Sequence, residues 1–336
     1  MIKEFLKLSR KERKEIITQY STKAGIRFDV VEKDIWVCYV LEKLFSNDNL
    51  KDKLVFKGGT CLSKVYGVID RFSEDIDLAI DKEFLAISGT SKRPEKIAQK
   101  TIEASREFLK DFLFLEIENS FKEELKDEDW KLKRSEEERD VITFRFPSAS
   151  SNVFPATFPL ELGNYDYIQR NIKIEFKAVS DIWPSNHLNI RPYISEILPA
   201  MFATSGVRAI DIKRNFIEKL FILDSISRRP AEKPIKNDKY SRHYYDVYSI
   251  IKSGKVQDIS ISKNIFDSVL ENRKIYPRES WVDYSNINFL SDLKLIPSQN
   301  RIEEIRKDYK DMQVMFFRGN NPNFDEILSV IRNYNL

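Results

Sequence analysis

The sequence predicts an α+β fold, in which short strands form a sheet and helices pack around it. One observation is a set of four short runs that are apolar, or that alternate between apolar and polar residues as strands do. These runs are residues 54–56, 75–80, 141–146 and 172–176. The other observation is helical spacing of apolar residues near the N-terminus, from Ala209 to Ser227, from Arg242 to Ile250 and in the last hundred residues. The C-terminal part is therefore predicted to be helical.

Composition predicts a chain with a large core and no membrane span. With 336 residues, the length favours two domains or one domain with sizeable additions. A formal net charge of +3 predicts no general affinity for nucleic acid, so only a local basic groove would bind it. The chain has no apolar signal core and no membrane-spanning run, so we expect a cytoplasmic protein with no membrane partner. Cys38 and Cys61 are expected to pack as small apolar groups in a reduced compartment.

The N-terminal segment predicts helices that pack on the sheet. Ser9 followed by Glu12 is typical of a capping box, which begins a helix. Farther along, Val37, Val40, Leu41 and Leu44 predict the apolar face of a second helix. Lys33 and Asp34 precede that face, and on amphipathic spacing alone they are expected to be solvated.

A strand, a diglycine and a helix follow one another from residue 54. Leu54 to Phe56 reads as a buried strand, Gly58 and Gly59 break it, and Thr60 is placed to cap the following helix. Bare backbone N–H groups before a helix form a pocket for anions. A diglycine can also be a simple turn, so this half of the pattern is weak alone.

Two acids, Asp75 and Asp77, stand two residues apart in the next strand. Because side chains alternate across a strand, both acids face the same side. Two like charges this close raise a pKa unless a cation lies between them, and Mg²⁺ commonly takes one or two carboxylates together with phosphates. Surface strands also carry this spacing by accident. Together with the diglycine, however, the pattern predicts a site where backbone and metal hold a nucleoside triphosphate.

This stretch resembles the nucleotidyltransferase superfamily, and specifically the AbiEii/AbiGii toxin family of type IV toxin–antitoxin systems, which includes MenT-like toxins. The family signature looks like GG[ST] followed by R-x-S-x-D-[IL]-D-[IL]. In this chain it reads GGT at 58–60 and RFSEDIDL at 71–78. The resemblance runs through nearly the full length and is most specific from Gly58 to Leu78.

The resemblance implies a nucleotidyltransferase (polymerase-beta-like) fold, with a small mixed sheet and a helical C-terminal part. It implies a nucleotidyltransferase domain with N-terminal helices at 1–195 and a helical domain at 196–336 that completes the active site. A similar E-K-D-x-W segment in the family implies that Lys33 or Asp34 borders the active cleft, which is the alternative to solvated positions.

Glu175 is the candidate third carboxylate. From Ile172 to Phe176 the chain alternates, so Lys173 and Glu175 share one face of a strand. If this strand lies beside the strand of the paired acids, Glu175 reaches the same cation, as the family fold implies. The alternative is a half-exposed strand with a Lys/Glu outer face, because lateral register is not encoded locally.

Two further candidates lie in the C-terminal part. Lys219 sits at the edge of an apolar helical stripe, where it either buries its stem and keeps its ammonium wet or, as the family pattern R-x-F-x-E-K-L implies, contacts the triphosphate. Asp246 follows Arg242 by four residues, which predicts a surface ion pair, whereas the family pattern R-[DH]-x-x-D implies an active-site aspartate. His243 is expected to be a polar neighbour of the cleft rather than a general base.

The function that the resemblance implies is metal-dependent nucleotidyl transfer by a toxin. The implied catalytic residues are Asp75, Asp77, Lys219 and Asp246. The implied ligands of Mg²⁺ or Mn²⁺ are Asp75, Asp77 and Glu175. The implied contacts of the NTP are Gly58, Gly59, Thr60, Ser73 and Lys219.

The resemblance also implies partners and a biological role. The implied partners are an AbiEi-type antitoxin and an RNA acceptor, namely the 3′ end of tRNA, in a system of phage defence. Nucleotidylation of a protein and a non-catalytic nucleotide- or RNA-binding module are the alternatives. A P-loop enzyme is disfavoured because the chain contains no G-x-x-x-x-G-K-[ST] motif.

Overall fold

A mixed β-sheet of seven strands carries the fold in the part of the chain that the structure describes. The structure is a computed structural model that describes residues 2–85, 93–126, 128–138, 140–150, 170–235, 239–257, 262–317 and 321–334. The strands are β1 (Leu54–Lys57), β2 (Ile76–Ile80), β3 (Lys131–Arg134), β4 (Val141–Arg145), β5 (Asn171–Lys177), β6 (Ser185–Ile190) and β7 (Ser205–Ile210). Their spatial order is β3-β4-β5-β2-β1-β7-β6. The predicted α+β fold is confirmed.

Helices precede the sheet strands, interrupt them and follow them. They are α1 (Lys3–Leu6), α2 (Arg10–Ala24), α3 (Phe28–Ser46), α4 (Gly58–Lys64), α5 (Pro94–Phe108), α6 (Phe114–Lys122), α7 (Ile212–Arg228), α8 (Ser241–Lys252), α9 (Lys263–Ile275), α10 (Gln299–Asp311) and α11 (Phe324–Arg332). The predicted capping box is present at α2, where Ser9 accepts from the Glu12 backbone and Glu12 accepts from the Ser9 backbone. None of these described helices has the combination of length and apolar character needed to cross a membrane.

The buried side chains form two apolar clusters. The first contains the sheet and the N-terminal helices, and extends through Ile210; the second is built mainly from α7 to α11. Strand β7 follows residue 195 yet lies in the sheet between β1 and β6. The division into domains at 195 stays a prediction. Cys38 and Cys61 are unbonded and buried, and burial raises the pKa of both thiols, as expected for small apolar groups.

Strand register brings the predicted acids together. Strand β1 pairs antiparallel with β2, so that Lys57 lies opposite Asp77. Strand β2 pairs parallel with β5, so that Asp77 lies opposite Glu175. The strand that carries Glu175 therefore lies beside the strand of the paired acids, as predicted. Lys57, Asp77 and Glu175 lie side by side on β1, β2 and β5.

Two local expectations differ from the structure. The predicted helix at Ala209 begins instead at Ile212, because the preceding residues complete β7 and Asp211 caps the helix by accepting from the Lys213 backbone at 2.8 Å. Thr60 does not cap α4, which begins at Gly58 without a side-chain cap.

Candidate active site

A polar cavity of about 290 Å³ opens beside the ends of β1, β2 and β5 and is closed on another side by α7 and α8. Seven of the predicted site residues line it. They are Gly58, Gly59, Ser73, Asp75, Asp77, Glu175 and Lys219. The other two, Thr60 and Asp246, are fully buried and do not line the cavity. Seven of the nine predicted residues therefore share one cavity, and the other two lie behind its lining.

The diglycine brings the backbone close to the acidic strand. Gly58 has a φ of +76°, and a Cβ atom built there would lie 2.1 Å from Oδ2 of Asp77. A Cβ atom at Gly59 would lie 2.8 Å from Oγ of Ser73. A side chain at Gly58 would collide with Asp77 and would be strained at this φ, so glycine is required there; at Gly59 the side chains of Arg71 and Ser73 would have to shift. This approach brings the backbone at the start of α4 against the side chains of Asp77 and Ser73.

Thr60 supports the lining residues from behind. Its hydroxyl donates to the carbonyl oxygen of Asp75 at 2.5 Å and lies 2.9 Å from Oγ of Ser73. Those bonds fix the segment that carries both residues. The geometry favours a positioning role for Thr60 over the predicted direct contact with the nucleotide.

The carboxylates of Asp75 and Asp77 form the acidic side of the cavity. Burial, followed by the negative charges of Glu74, Glu175 and Asp77, raises the pKa of Asp75 to about 6. A bound cation would stabilise the ionised form of these carboxylates, which burial and the neighbouring negative charges disfavour. The donor set of two carboxylate oxygens suits Mg²⁺ or Mn²⁺, which fill their remaining positions with water and phosphate oxygens.

Glu175 does not complete a three-carboxylate site as the residues stand. Among the described residues, no three acidic, histidine or cysteine side chains are placed to hold a metal ion. Lys177 forms an ion pair with Oε2 of Glu175, and Lys173 lies 3.0 Å from its Oε1. Burial alone would raise the pKa of Glu175, but these lysines outweigh it and lower that pKa. The third carboxylate thus stands beside the other two with its charge already neutralised.

Lys219 and Arg71 converge on Asp246. Nζ of Lys219 donates to Oδ2 of Asp246 at 2.8 Å, while Arg71 donates from Nε and Nη2 to both carboxylate oxygens at 2.7 and 2.8 Å. Burial alone would raise the pKa of Asp246, but the two cations hold it well below its usual range. Asp246 therefore orients two cations that line the cavity, which is a positioning role. The expected surface pair with Arg242 and a solvated, stem-buried Lys219 are both wrong.

Helix α7 contributes a face that the sequence reasoning described only in part. Asn215, Glu218, Lys219 and Ile222 have helical spacing and all line the cavity. Glu218 accepts from Lys57 at 2.6 Å, and Asn215 donates to the carbonyl oxygen of Gly58 at 3.1 Å. Because residues three and four apart share one face of a helix, the position of Lys219 in α7 predicts that Asn215 and Ile222 face the same side.

Two arginines of the cavity were missed. Arg242 and Arg278 line it, and neither forms an ion pair with the described part of the chain. Unpaired guanidinium groups beside a polar cavity favour an anionic ligand. Arg242 had a signal, since it begins the family pattern of α8. Arg278 had none, because it lies after α9 and reaches the cavity only through tertiary packing.

His243 also lines the cavity, as predicted for a polar neighbour. Burial, followed by the positive charges of Lys219 and Arg242, lowers the pKa of His243 well below its usual value. Its Nδ1 has no hydrogen-bond partner among the described residues. A neutral imidazole is available for a hydrogen bond, and its low basicity agrees with the expectation that it is not the general base.

Lys33 and Asp34 support the site from α3. Both are buried, so the expectation that they are solvated is wrong. Neither lines the cavity: Lys33 donates to Glu74 at 2.7 Å, next to Asp75, and Asp34 accepts from Lys64 of α4 at 2.5 Å. They hold the elements that carry the cavity residues.

The C-terminal segment joins the site through its backbone. The N–H group of Phe72 donates to the carbonyl oxygen of Met315 at 2.7 Å, and Arg71 forms an isolated bridge with Phe316. Met315 and Phe316 thus contact the segment before the paired acids. The site depends on residues from both ends of the chain.

Comparison with known proteins places the chain in a family. A family profile described as Nucleotidyl transferase AbiEii toxin, Type IV TA system, matches residues 39–330. No curated protein matches. Among solved structures, MenT4, a nucleotidyltransferase toxin from Mycobacterium tuberculosis H37Rv, aligns over 98% of this chain and 100% of its own, with 14% identity and a TM-score of 0.45. A similarity at that level carries no argument about function.

The family profile covers most of the chain, including every residue that lines the cavity. The chain therefore belongs to the AbiEii family of nucleotidyltransferase toxins of type IV toxin–antitoxin systems.

Proposed function

We propose that this nucleotidyltransferase transfers a nucleotide from an NTP to the 3′ end of tRNA in a metal-dependent reaction. The observation that carries the proposal is the lining of one cavity. It brings the paired acids Asp75 and Asp77 together with the diglycine turn and with Lys219, Arg242 and Arg278. Carboxylates for a cation and several cations for phosphates are the two requirements of nucleotidyl transfer from a triphosphate.

In the proposed reaction, the acceptor hydroxyl oxygen forms a bond to the α-phosphorus, and the bond from that phosphorus to the leaving pyrophosphate breaks. Asp75 and Asp77 would hold Mg²⁺ or Mn²⁺, which supplies charge neutralisation at phosphate oxygens when it is bound. Ser73 and the diglycine backbone donate to phosphate oxygens. Lys219 neutralises charge that develops on the pyrophosphate. A carboxylate of the acidic pair accepts the hydroxyl proton.

A basic and aromatic surface next to the cavity supports an RNA acceptor. Tyr240 lines the cavity, and the guanidinium of Arg229 lies 5.7 Å from its ring centroid and 5.4 Å from that of Trp281. Nζ of Lys233 lies 4.8 Å from the Trp281 ring centroid. Aromatic rings with neighbouring cations bind single-stranded nucleic acid by stacking and by phosphate contact. The unpaired 3′ end of tRNA is single-stranded, so a surface of this kind suits it.

The acceptor and the nucleotide are tested by labelling. The protein is incubated with each of four α-labelled NTPs, divalent cation, and either deacylated tRNA or total cellular protein. We expect label at the 3′ end of tRNA and a preference among the four NTPs. Label on protein instead would establish the alternative of protein nucleotidylation. No label with any acceptor, together with equal toxicity of wild type and Asp77→Asn, would favour a non-catalytic binding module.

Membership in a type IV system supports the remaining biological proposals. We propose that the protein acts in the cytoplasm, where NTPs and tRNA are present, in phage defence, and that an AbiEi-type antitoxin opposes it. The proposed division into residues 1–195 and 196–336 fits the cavity, because Lys219, Arg242 and Arg278 reach it from the second part. Growth of cells that express the toxin with and without the neighbouring gene tests the antitoxin.

A further inference from the structure

We infer that Lys177 is a built-in cation of the carboxylate site, which occupies the side between Asp77 and Glu175 and weakens divalent-ion binding there. The inference rests on the proposed metal dependence of the reaction. It goes further, because it assigns a role to a lysine that no motif singled out and excludes Glu175 as a freely available third ligand.

The ammonium group of Lys177 lies close to two carboxylates of the site. Nζ of Lys177 forms an ion pair with Oε2 of Glu175 and lies 3.5 Å from Oδ1 of Asp77. The ammonium thus contacts carboxylates from two neighbouring strands. A divalent ion shared by those carboxylates would need the same space and would be repelled by the same charge.

The position of Lys177 follows from the alternation of side chains along β5 and from the pairing of β5 with β2. Residues 173, 175 and 177 alternate with buried residues in β5, so Lys173, Glu175 and Lys177 share one face. Parallel pairing of β2 with β5 sets Glu175 beside Asp77. Lys177, two residues farther along, is therefore within reach of both acids.

Lys173 provides a matched comparison on the same strand face. Its Nζ lies 3.0 Å from Oε1 of Glu175 and 2.5 Å from Oε2 of Glu138, and it does not line the cavity. Lys177 does line the cavity. Both lysines neutralise Glu175, but Lys177 alone of the two also approaches Asp77. A difference between the two variants therefore reports on the position of the charge rather than on net charge.

The test measures binding of Mn²⁺ to the full chain without nucleotide, by the electron paramagnetic resonance signal of free Mn²⁺. Wild type, Lys177→Gln, Lys177→Arg, Lys173→Gln and Asp77→Asn are compared, and circular dichroism establishes that each is folded. Removing a unit charge a few ångströms from the ion should tighten binding by about tenfold in Lys177→Gln. Lys177→Arg, which keeps the charge, and Lys173→Gln should each remain within about twofold of wild type.

Each outcome decides a different point. Unchanged affinity in Lys177→Gln, with binding that Asp77→Asn abolishes, overturns the role of Lys177 and leaves the proposed metal site intact. Equal tightening in both Gln variants also overturns it, because net charge would then be the cause. Absence of Mn²⁺ binding in every variant contradicts the metal site itself and the inference with it.

Discussion

At the scale of single residues, the site depends on buried charges whose partners are themselves buried. Asp246 has no exposed surface and is shared by Arg71 and Lys219. The resemblance selects Asp246 and Lys219 as candidates, but the sequence does not show that Asp246 binds the ammonium group of Lys219. In the sequence, Arg71 stands out only as the first residue of the motif RFSEDIDL. Asp246 and its two partners are far apart in the sequence, so their contacts are seen only in the folded structure.

Asp246→Asn should destabilise the protein strongly. The change leaves two buried cations without their anion, and loss of one partner from a buried ion pair costs about 3–5 kcal/mol. Asp325→Asn is the control, since Arg306 also binds that carboxylate with two hydrogen bonds but on the surface. Urea unfolding should show a large loss for the first variant and little change for the second. Equal losses would contradict the account of Asp246 as the buried anchor.

Glu218 makes a prediction about pH. Burial alone would raise its pKa, but Lys57 and Arg214 lower it from 4.5 to about 2. A depressed carboxylate pKa stabilises the fold above the unfolded value of 4.5, and that contribution is lost as pH falls towards 2. A shift of this size corresponds to about 3 kcal/mol.

Unfolding free energies of wild type and Glu218→Gln should therefore differ most at neutral pH, and the difference should shrink between pH 4.5 and 2. Glu271→Gln on the exposed surface of α9 is the control and should stay close to wild type. A difference for Glu218→Gln that is constant with pH would show that the variant acts by altered packing and not through the carboxylate charge.

At the scale of elements, the turn from β1 to α4 sets the distance between the backbone and the acids. Gly58→Ala should abolish nucleotidyl transfer because the new methyl group collides with Asp77, whose Oδ2 is 2.1 Å from the Cβ position. Gly25 is the matched control, since its φ is +66° but nothing lies within 4 Å of its Cβ position. Gly25→Ala should cost about 1 kcal/mol of stability and keep its activity. Loss of activity in both would mean that backbone strain, and not the contact, is responsible.

The sequence predicts the strands whose apolar residues are continuous or alternate, and it does not predict the strands that lack either pattern. Strands β1, β2, β4 and β5 were predicted because their apolar residues are continuous or alternate cleanly. Strand β6, SNHLNI, is largely polar and lies at the sheet edge, where alternation is not required. The last two residues of β7, Ala209 and Ile210, are predicted as part of the following helix, because they are apolar and run directly into the periodicity of α7.

At the scale of the whole molecule, the proposed acceptor surface continues from the cavity over Tyr240 and Trp281. Lys233→Glu should weaken tRNA binding, more so at low salt, because it replaces a cation over the Trp281 ring with an anion. NTP binding should be unchanged, since Lys233 does not line the cavity. Lys11→Glu on α2 is the control. Filter binding of labelled tRNA measures the effect, and equal loss in both variants would argue against a defined surface.

The central claim is that Asp75 and Asp77 act together with the cationic lining of the cavity to transfer a nucleotide. The most direct test is the rate of α-label incorporation into tRNA by wild type, Asp77→Asn and the surface variant Asp325→Asn. The account predicts a loss of at least about 100-fold for Asp77→Asn, as for removal of an electrostatic group at a reacting phosphate, and wild-type rates for Asp325→Asn. Equal rates for folded wild type and Asp77→Asn would contradict it.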